Sequence, residues 1–218
     1  MSTNQSTIQH ALQVLFTEYD HSEATQQVCK ACLAIFEDQD QDFLKRVKAL
    51  DELFDQNPNL EPIHEFVFDL LLVKLLSAEN KPESFFDSPE WDHIEDKTID
   101  RGSELLNLFL YLSEAKEADV EISLDDFLNE FLLVDEDEFQ DELSIYEPFI
   151  VNEDILEAEL SSIKEIQMAI KEENPIKPLF LPLVLFFQEP EGIVDEEAAV
   201  LNKFDTAVYE TLRGFYRH

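Results

Sequence analysis

Apolar residues recur every three to four positions along most of the chain, which is the spacing of one face of an α-helix. Between these runs stand helix-capping and helix-breaking residues, such as Ser22 and the pair Asn57-Pro58. The pattern predicts helices at residues 5–19, 23–37, 40–55, 63–76, 98–114, 124–134, 135–143, 153–172 and 195–216.

The most apolar of these helices spans residues 63–76, where ten of fourteen positions are apolar. A helix that is apolar on nearly every side is covered on most sides by other helices. We therefore predict an all-α fold, a single compact domain of about eight to nine helices around a central apolar helix at residues 63–76. A subdomain boundary near residues 80–90 is the alternative division.

Two segments do not follow a simple helical pattern. Residues 179–187 form one apolar run that fits a buried helix or a buried strand, and we favour the helix. Residues 146–151 are expected to be extended, because Pro148 disfavours a helical conformation at Glu147. Asn152 is then expected to cap the helix at residues 153–172.

The composition excludes several fold and function classes. Only 3 of the 218 residues are glycine, and no glycine-rich phosphate loop occurs. The first ten residues contain no apolar signal region, and the longest apolar run has nine residues, far below the roughly 20 that a membrane helix needs. Two cysteines do not make a disulfide framework, so a cytoplasmic location is expected.

The formal net charge is −35, and most of it lies in the middle of the chain. Residues 81–160 carry −22, residues 1–80 carry −9, and residues 161–218 carry −4. Such a charge repels nucleic acid and anionic lipid and attracts basic proteins or cations. The expected partner is therefore a basic protein, with no direct binding to nucleic acid or membrane.

The densest acidic stretch spans residues 117–163, with 17 Asp or Glu among 47 residues and no Lys or Arg. Leu124, Phe127, Leu128 and Phe131 run through it at helical spacing, so the stretch is expected to fold. Carboxylates on the opposite helix face would then form a rigid anionic surface. The candidate partner-binding residues are Asp125, Asp126, Glu130, Asp135, Glu136, Asp137, Glu138, Asp141 and Glu142.

This surface favours a binding function over catalysis, and no catalytic constellation can be argued from spacing. The sharper hypothesis is a nucleic-acid mimic that inhibits a DNA-binding protein, since 17 carboxylates match roughly 29 Å of duplex at ~1.7 Å per charge. An immunity protein or chaperone for a basic toxin or effector would use the same physics. A merely solvated surface and adaptation to high salt are further interpretations.

Three Glu-x-x-His pairs suggest a rival from another class, a ferritin-like metal-dependent enzyme. Two of them supply the candidate metal ligands Glu61, His64, Glu90 and His93, and the third is Glu18/His21. His21 lies in a helix break and Glu90 follows Pro89, so no metal or other cofactor is assigned from the sequence.

The Cys-x-x-Cys motif at Cys29 and Cys32 could supply half of a zinc site. Both cysteines fall on the apolar stripe of their helix, with Val28, Leu33 and Phe36. We therefore expect buried thiols that pack as small apolar side chains.

Overall fold

The computed structural model describes residues 3–38, 40–77, 83–131, 139–152, 154–190, 192 and 201–218, and every regular element in these ranges is helical. The all-α prediction is confirmed, but eleven α-helices exceed the expected eight to nine. They are α1 Thr3–Tyr19, α2 Glu23–Glu37, α3 Phe43–Asp55, α4 His64–Leu76, α5 Pro89–Thr98, α6 Leu105–Ala118, α7 Leu124–Phe131, α8 Phe139–Ile150, α9 Leu160–Ala169, α10 Phe180–Gln188 and α11 Lys203–Arg217. Short 3₁₀ helices occupy Pro58–Ile63, Glu83–Phe85 and Ile155–Glu157.

The helices group into two compact units, Met1–Leu106 and Asn107–His218, called here the first and the second unit. The single domain, and the alternative boundary near residues 80–90, stay predictions.

The first unit is built around α4, which contacts α1 and α3. Eight consecutive residues of α4 are buried, from Phe66 to Val73. The flanking helices begin where the sequence supplies a cap: Ser22 Oγ accepts from the Thr25 amide at 3.2 Å, and Asp42 Oδ1 accepts from the Lys45 amide at 2.9 Å. These caps satisfy amides that the first helical turn leaves without a partner.

The second unit has a buried helix of its own, α10, which contacts α9, α11 and the 3₁₀ helix Ile155–Glu157. All seven residues from Phe180 to Phe186 are buried, so the helix favoured for residues 179–187 is confirmed. Pro182 lies in the first turn, where an amide has no helical partner to lose. The sequence therefore contained two core helices, and the prediction singled out only α4.

The extended conformation expected for residues 146–151 is wrong, because α8 continues through Pro148 to Ile150. A proline in a helix leaves the carbonyl four residues earlier without its amide partner. Here the Asn174 side-chain amide donates to the carbonyls of Ser144 and Ile145, at 3.2 Å each. A residue distant in sequence thus replaces the hydrogen bond that the proline removes.

Asn152 closes α8 instead of opening the next helix. Its side-chain amide donates to the Pro148 carbonyl at 2.7 Å. The helix expected at residues 153–172 is instead the 3₁₀ helix Ile155–Glu157 followed by α9, which ends at Ala169. In this 3₁₀ helix Ile155 is buried, whereas the neighbouring Leu156 is 36% exposed.

Two further predicted helices begin later than expected. The helix expected at residues 98–114 begins only at Leu105. Gly102, between α5 and α6, has φ of +97°, which is not a helical conformation. The last helix begins at Lys203, where Asn202 Oδ1 accepts from the amides of Phe204 and Asp205 at 2.8 and 3.0 Å. Most of the predicted start of that helix, residues 195–200, lies outside the described residues.

Candidate functional site

The acidic helix α7 begins at the N-cap residue Ser123, with Asp126 three positions later. Ser123 Oγ accepts from the Asp126 amide at 3.0 Å and donates to Asp126 Oδ2 at 2.8 Å. Two carboxylates, Asp125 and Asp126, stand in the first turn, where the positive end of the helix dipole favours negative charge. The local sequence therefore accounts for a helix that tolerates this many acids.

The two faces of α7 separate as the helical spacing predicts. Leu124, Phe127 and Leu128 are buried, whereas Asp125, Asp126, Asn129 and Glu130 are exposed. This exposure is confirmed, while the role of the carboxylates in binding a partner stays a prediction.

Tyr111 of α6 holds the start of α7 in place. Its hydroxyl accepts from the Ser123 amide at 2.9 Å and donates to the Ser123 carbonyl at 3.1 Å. The Phe127 ring packs against Tyr111 and Tyr146, with ring centroids 5.5 and 5.8 Å apart. Aromatic pairs at these separations are favourable, so the buried face of α7, opposite its carboxylates, is well packed.

The turn between α6 and α7 places more carboxylates beside those of α7. The Val120 amide donates to the Ala115 carbonyl at 3.0 Å and the Asp119 amide to the Lys116 carbonyl at 3.3 Å, which is a Schellman ending for α6. Asp119 takes the left-handed position of this ending, with φ of 54°. We call the segment 114–130 the acidic hairpin; its exposed carboxylates are Glu114, Glu117, Asp119, Glu121, Asp125, Asp126 and Glu130.

The carboxyl groups of Glu114 in α6 and Glu130 in α7 lie within hydrogen-bond distance of each other. Burial, followed by the hydrogen bond and the charge of Glu114, raises the pKa of Glu130 above its ordinary value. Two carboxylates that share a site cannot both ionise freely. A cationic group placed between them would favour ionisation of both.

The remaining candidate partner-binding residues are less well placed by the structure. Asp135, Glu136, Asp137 and Glu138 lie outside the described residues. The helix α8 includes Asp141 and Glu142, but their side chains lie outside the described part of the structure. The acidic hairpin is therefore the part of the predicted anionic surface whose side chains the structure describes.

The candidate metal ligand His64 is engaged in other interactions. Its ring stacks on Phe54 with centroids 4.3 Å apart, and its Nε2 lies 3.1 Å from Asp51 Oδ1. Its Nδ1 lies 3.9 Å from Glu61 Oε2, and Arg101 Nη2 lies 3.4 Å from Nε2. A guanidinium beside the imidazole opposes a second cation at the same nitrogen.

The other candidate pair, Glu90 and His93, lies exposed on α5. Across the part of the chain that the structure describes, no three His, Cys, Asp or Glu side chains gather closely enough to hold a metal ion. The ferritin-like alternative gains no support from the described residues.

Cys29 and Cys32 are buried free thiols on the core face of α2. Burial raises the pKa of Cys29 to about 11. Burial, with a smaller effect of Cys29, raises the pKa of Cys32 well above the ordinary range. A thiol that resists ionisation is a poor metal ligand and a poor nucleophile, which agrees with packing as a small apolar side chain.

Sequence reasoning missed a polar centre in the first unit. Arg101 Nε lies 3.0 Å from Glu65 Oε1, and Arg101 Nη1 lies 3.0 Å from Asp51 Oδ1. Asp69, which is completely buried, accepts from the Ser103 amide at 3.0 Å and contacts the Ser103 hydroxyl at 2.5 Å. The available signal was one carboxylate inside the apolar run of α4, four residues after Glu65.

A search of protein-family models, of curated proteins and of solved structures finds no match for this chain. Among the described residues, no helix has both the length and the apolar character to cross a membrane.

Proposed function

We propose that this protein is a binding protein that engages a basic partner through the acidic hairpin. The observation that carries the proposal is the set of seven exposed carboxylates at residues 114–130, supported by the packed side chains of Tyr111 and Phe127. The same segment contains a single basic residue, Lys116. An anionic surface that is already ordered binds a cationic partner without the cost of ordering itself.

The contacts within α6 and α7 favour binding over plain solvation. Most solvated charge runs hold their carboxylates apart or pair them with Lys or Arg, because crowded like charges destabilise a helix. In the acidic hairpin, Glu114 and Glu130 contact each other. An arrangement that is costly in the free protein and relieved by a cation supports a site for a basic surface.

A nucleic-acid mimic is the finer form of the proposal. The eight residues of α7 span about 12 Å. Seven phosphate charges of duplex DNA span a similar ~12 Å. The three carboxylates of α7 give one charge per about 4 Å of helix, and the four carboxylates of residues 114–121 raise the charge density of the acidic hairpin towards that of DNA, which would suit the basic groove of a DNA-binding protein. A basic toxin or effector would be recognised by the same charges, so an immunity protein or chaperone is the alternative.

A charge-neutralised variant tests the proposal. The triple variant Asp125→Asn, Asp126→Asn and Glu130→Gln removes three charges from α7 and keeps side-chain size. We expect partners retained by the immobilised protein from its own cell extract at low salt to be lost or to elute at lower salt. Electrostatic association of this kind depends steeply on ionic strength.

A control with the same net change is available on α5. Asp92→Asn, Asp96→Asn and Glu95→Gln neutralise three exposed carboxylates of identical types on another helix. Equal losses from both triple variants would mean that only total charge matters, and no loss from the α7 variant would refute a binding role for the acidic hairpin. Displacement of the retained partner by duplex DNA would separate the mimic from the alternative.

A further inference from the structure

An open groove crosses the second unit where α8 and α9 both end. Its first part has a volume of about 390 Å³. A second part, of about 420 Å³, shares Val151, Asn152 and Ile166 with the first and continues past Ile155 and Ala158. We call the two parts together the apolar groove; its first part is lined about equally by polar and by apolar side chains, the apolar ones being Ile145, Pro148, Val151, Ile166, Ala169, Ile170 and Pro175.

Apolar side chains remain in contact with solvent along this groove. Val151, which belongs to both parts, is 65% exposed. Leu156, next to the groove residue Ile155, is 36% exposed. Covering apolar surface yields about 25 cal/mol per Å², so a partner that fills the groove with an apolar side chain gains affinity that charge alone does not give.

The rim of the apolar groove is negative. The carboxyl-terminal ends of α8 and α9 both lie at the groove, and each carries the negative end of a helix dipole. Glu147, Asp154 and Glu173 line the groove, and Lys171 is the basic residue among its lining residues. The best-matched occupant is therefore apolar at its centre and cationic at its edges.

We propose that the apolar groove receives an apolar anchor side chain from a basic segment of the partner, with Lys or Arg on either side of the anchor. This proposal rests on the proposed function and specifies which part of the basic partner is bound. A short amphipathic segment laid into a groove is a common mode of peptide recognition. A second copy of this chain is disfavoured as the occupant, because each copy carries a net charge of −35.

Two synthetic peptides test the groove directly. One is a basic helical peptide of Lys and Ala with Leu at helical spacing, and the other has the same length and charge with each Leu replaced by Gln. Their affinities are measured by calorimetry at about 150 mM salt, where surface charges are partly screened. We expect the full-length protein to bind the Leu peptide about tenfold more tightly or better, a difference of about 1.4 kcal/mol.

A variant that fills the groove supplies the decisive comparison. Ala169 lines the groove and is exposed, so Ala169→Trp can occupy the groove without disturbing the core. We expect this variant to lose the preference for the Leu peptide. The control is Ala24→Trp at an exposed position of α2 in the first unit, and it should keep the preference. Circular dichroism checks that both variants keep their helical content.

The outcomes separate the groove from the acidic hairpin. Equal binding of both peptides, or a preference that survives in Ala169→Trp, would overturn the groove proposal and leave the proposed function intact. Failure of both peptides to bind would overturn both. If the α7 triple variant binds both peptides as well as the natural protein does, while Ala169→Trp abolishes the Leu preference, the groove proposal stands and the role of the acidic hairpin fails.

Discussion

Carboxyl groups are arranged in opposite ways in the polar centre of the first unit and in the acidic hairpin of the second. In the first unit, Glu65 and Asp51 contact the guanidinium of Arg101, and Asp69 holds the backbone of Ser103. In the second unit, Glu130 of the acidic hairpin is in contact with Glu114, another carboxylate. The carboxyl groups of this polar centre therefore fix one segment to another, whereas those of Glu114 and Glu130 in the hairpin repel each other.

The difference shows that the abundance of one residue type does not define its role. Residues 1–106 carry 22 acidic and 8 basic residues, and residues 107–218 carry 28 and 7, so both units are strongly acidic. A carboxylate beside a cation or a backbone amide stabilises the fold. A carboxylate beside another carboxylate destabilises the fold unless a cation binds between them. The five predictions below test this contrast, starting with the largest expected effect.

Replacing the cation of the first unit should have the largest effect. Arg101→Met leaves Glu65 and Asp51 without their shared partner and removes the guanidinium from the Phe68 ring, whose centroid lies 4.8 Å away. We expect a loss of about 3 kcal/mol in the free energy of unfolding, measured by urea denaturation. In the control Lys45→Met, the cation that pairs with Asp42 is exposed, and the loss should be far smaller.

A side chain at position 102, in the loop that joins α5 to α6, should lower the free energy of unfolding. A Cβ there would lie 2.9 Å from Asp69 Oδ1, and φ is +97°. We expect Gly102→Ala to lower the free energy of unfolding by about 2 kcal/mol. Gly214→Ala, inside α11, is the control of opposite sign and should raise it by up to about 1 kcal/mol. A neutral Gly102→Ala would show that the loop is not held tightly against Asp69.

The buried carboxylate should make stability depend on pH. Burial raises the pKa of Asp69 to about 8, against the opposing effect of its hydrogen bonds with Ser103. A carboxyl whose pKa is raised in the folded state gives the native protein an extra proton, so its contribution is complete at acidic pH and is lost as the pH rises towards 8. The slope is up to about 1.4 kcal/mol per pH unit.

Asp69→Asn isolates this contribution. Urea denaturation between pH 5 and pH 8.5 should show a clearly flatter decline of stability in the variant than in the natural protein. Asp125→Asn removes an exposed charge from α7 and measures the general effect of one charge fewer. If both variants flatten the decline equally, net charge and not the buried carboxyl controls the pH dependence.

The turn of the acidic hairpin should gain stability from glycine. Asp119 occupies a left-handed position with φ of 54°, where glycine has no steric penalty. We expect Asp119→Gly to raise the free energy of unfolding by about 1 kcal/mol. Asp119→Asn removes the charge and keeps a side chain, so the difference between the two variants measures the backbone effect. A destabilised Asp119→Gly would show that the aspartate makes a contact that the protein needs.

Relief of the repulsion between Glu114 and Glu130 should have the smallest effect. Glu130→Gln should raise the free energy of unfolding at neutral pH by a few tenths of a kcal/mol, because the site is largely exposed to solvent. The gain should shrink in about 0.5 M salt, which screens the repulsion. A loss of stability at low salt would mean that Glu130 pairs with a cation of the protein, and the contrast between the two units would then fail.

The helical class, the N-cap at Ser22 and the buried and exposed faces of individual helices follow from the sequence alone. Leu124, Phe127 and Leu128 alternate with Asp125 and Asp126 at a spacing that only a helix converts into one buried and one exposed face. The burial of Cys29 and Cys32 follows from the same rule. These features depend on residues at most a few positions apart, so local periodicity suffices to predict them.

Other features depend on residues distant in sequence and follow only from the folded chain. Pro148 is accommodated in α8 because Asn174 donates to the Ser144 carbonyl, which the proline leaves without its amide partner. Asp69 is buried because Ser103, 34 residues away, meets it with an amide and a hydroxyl. The apolar groove exists because the ends of α8 and α9 meet at one place. Periodicity carries no information about such pairings, since each needs the chain to return to the same point in space.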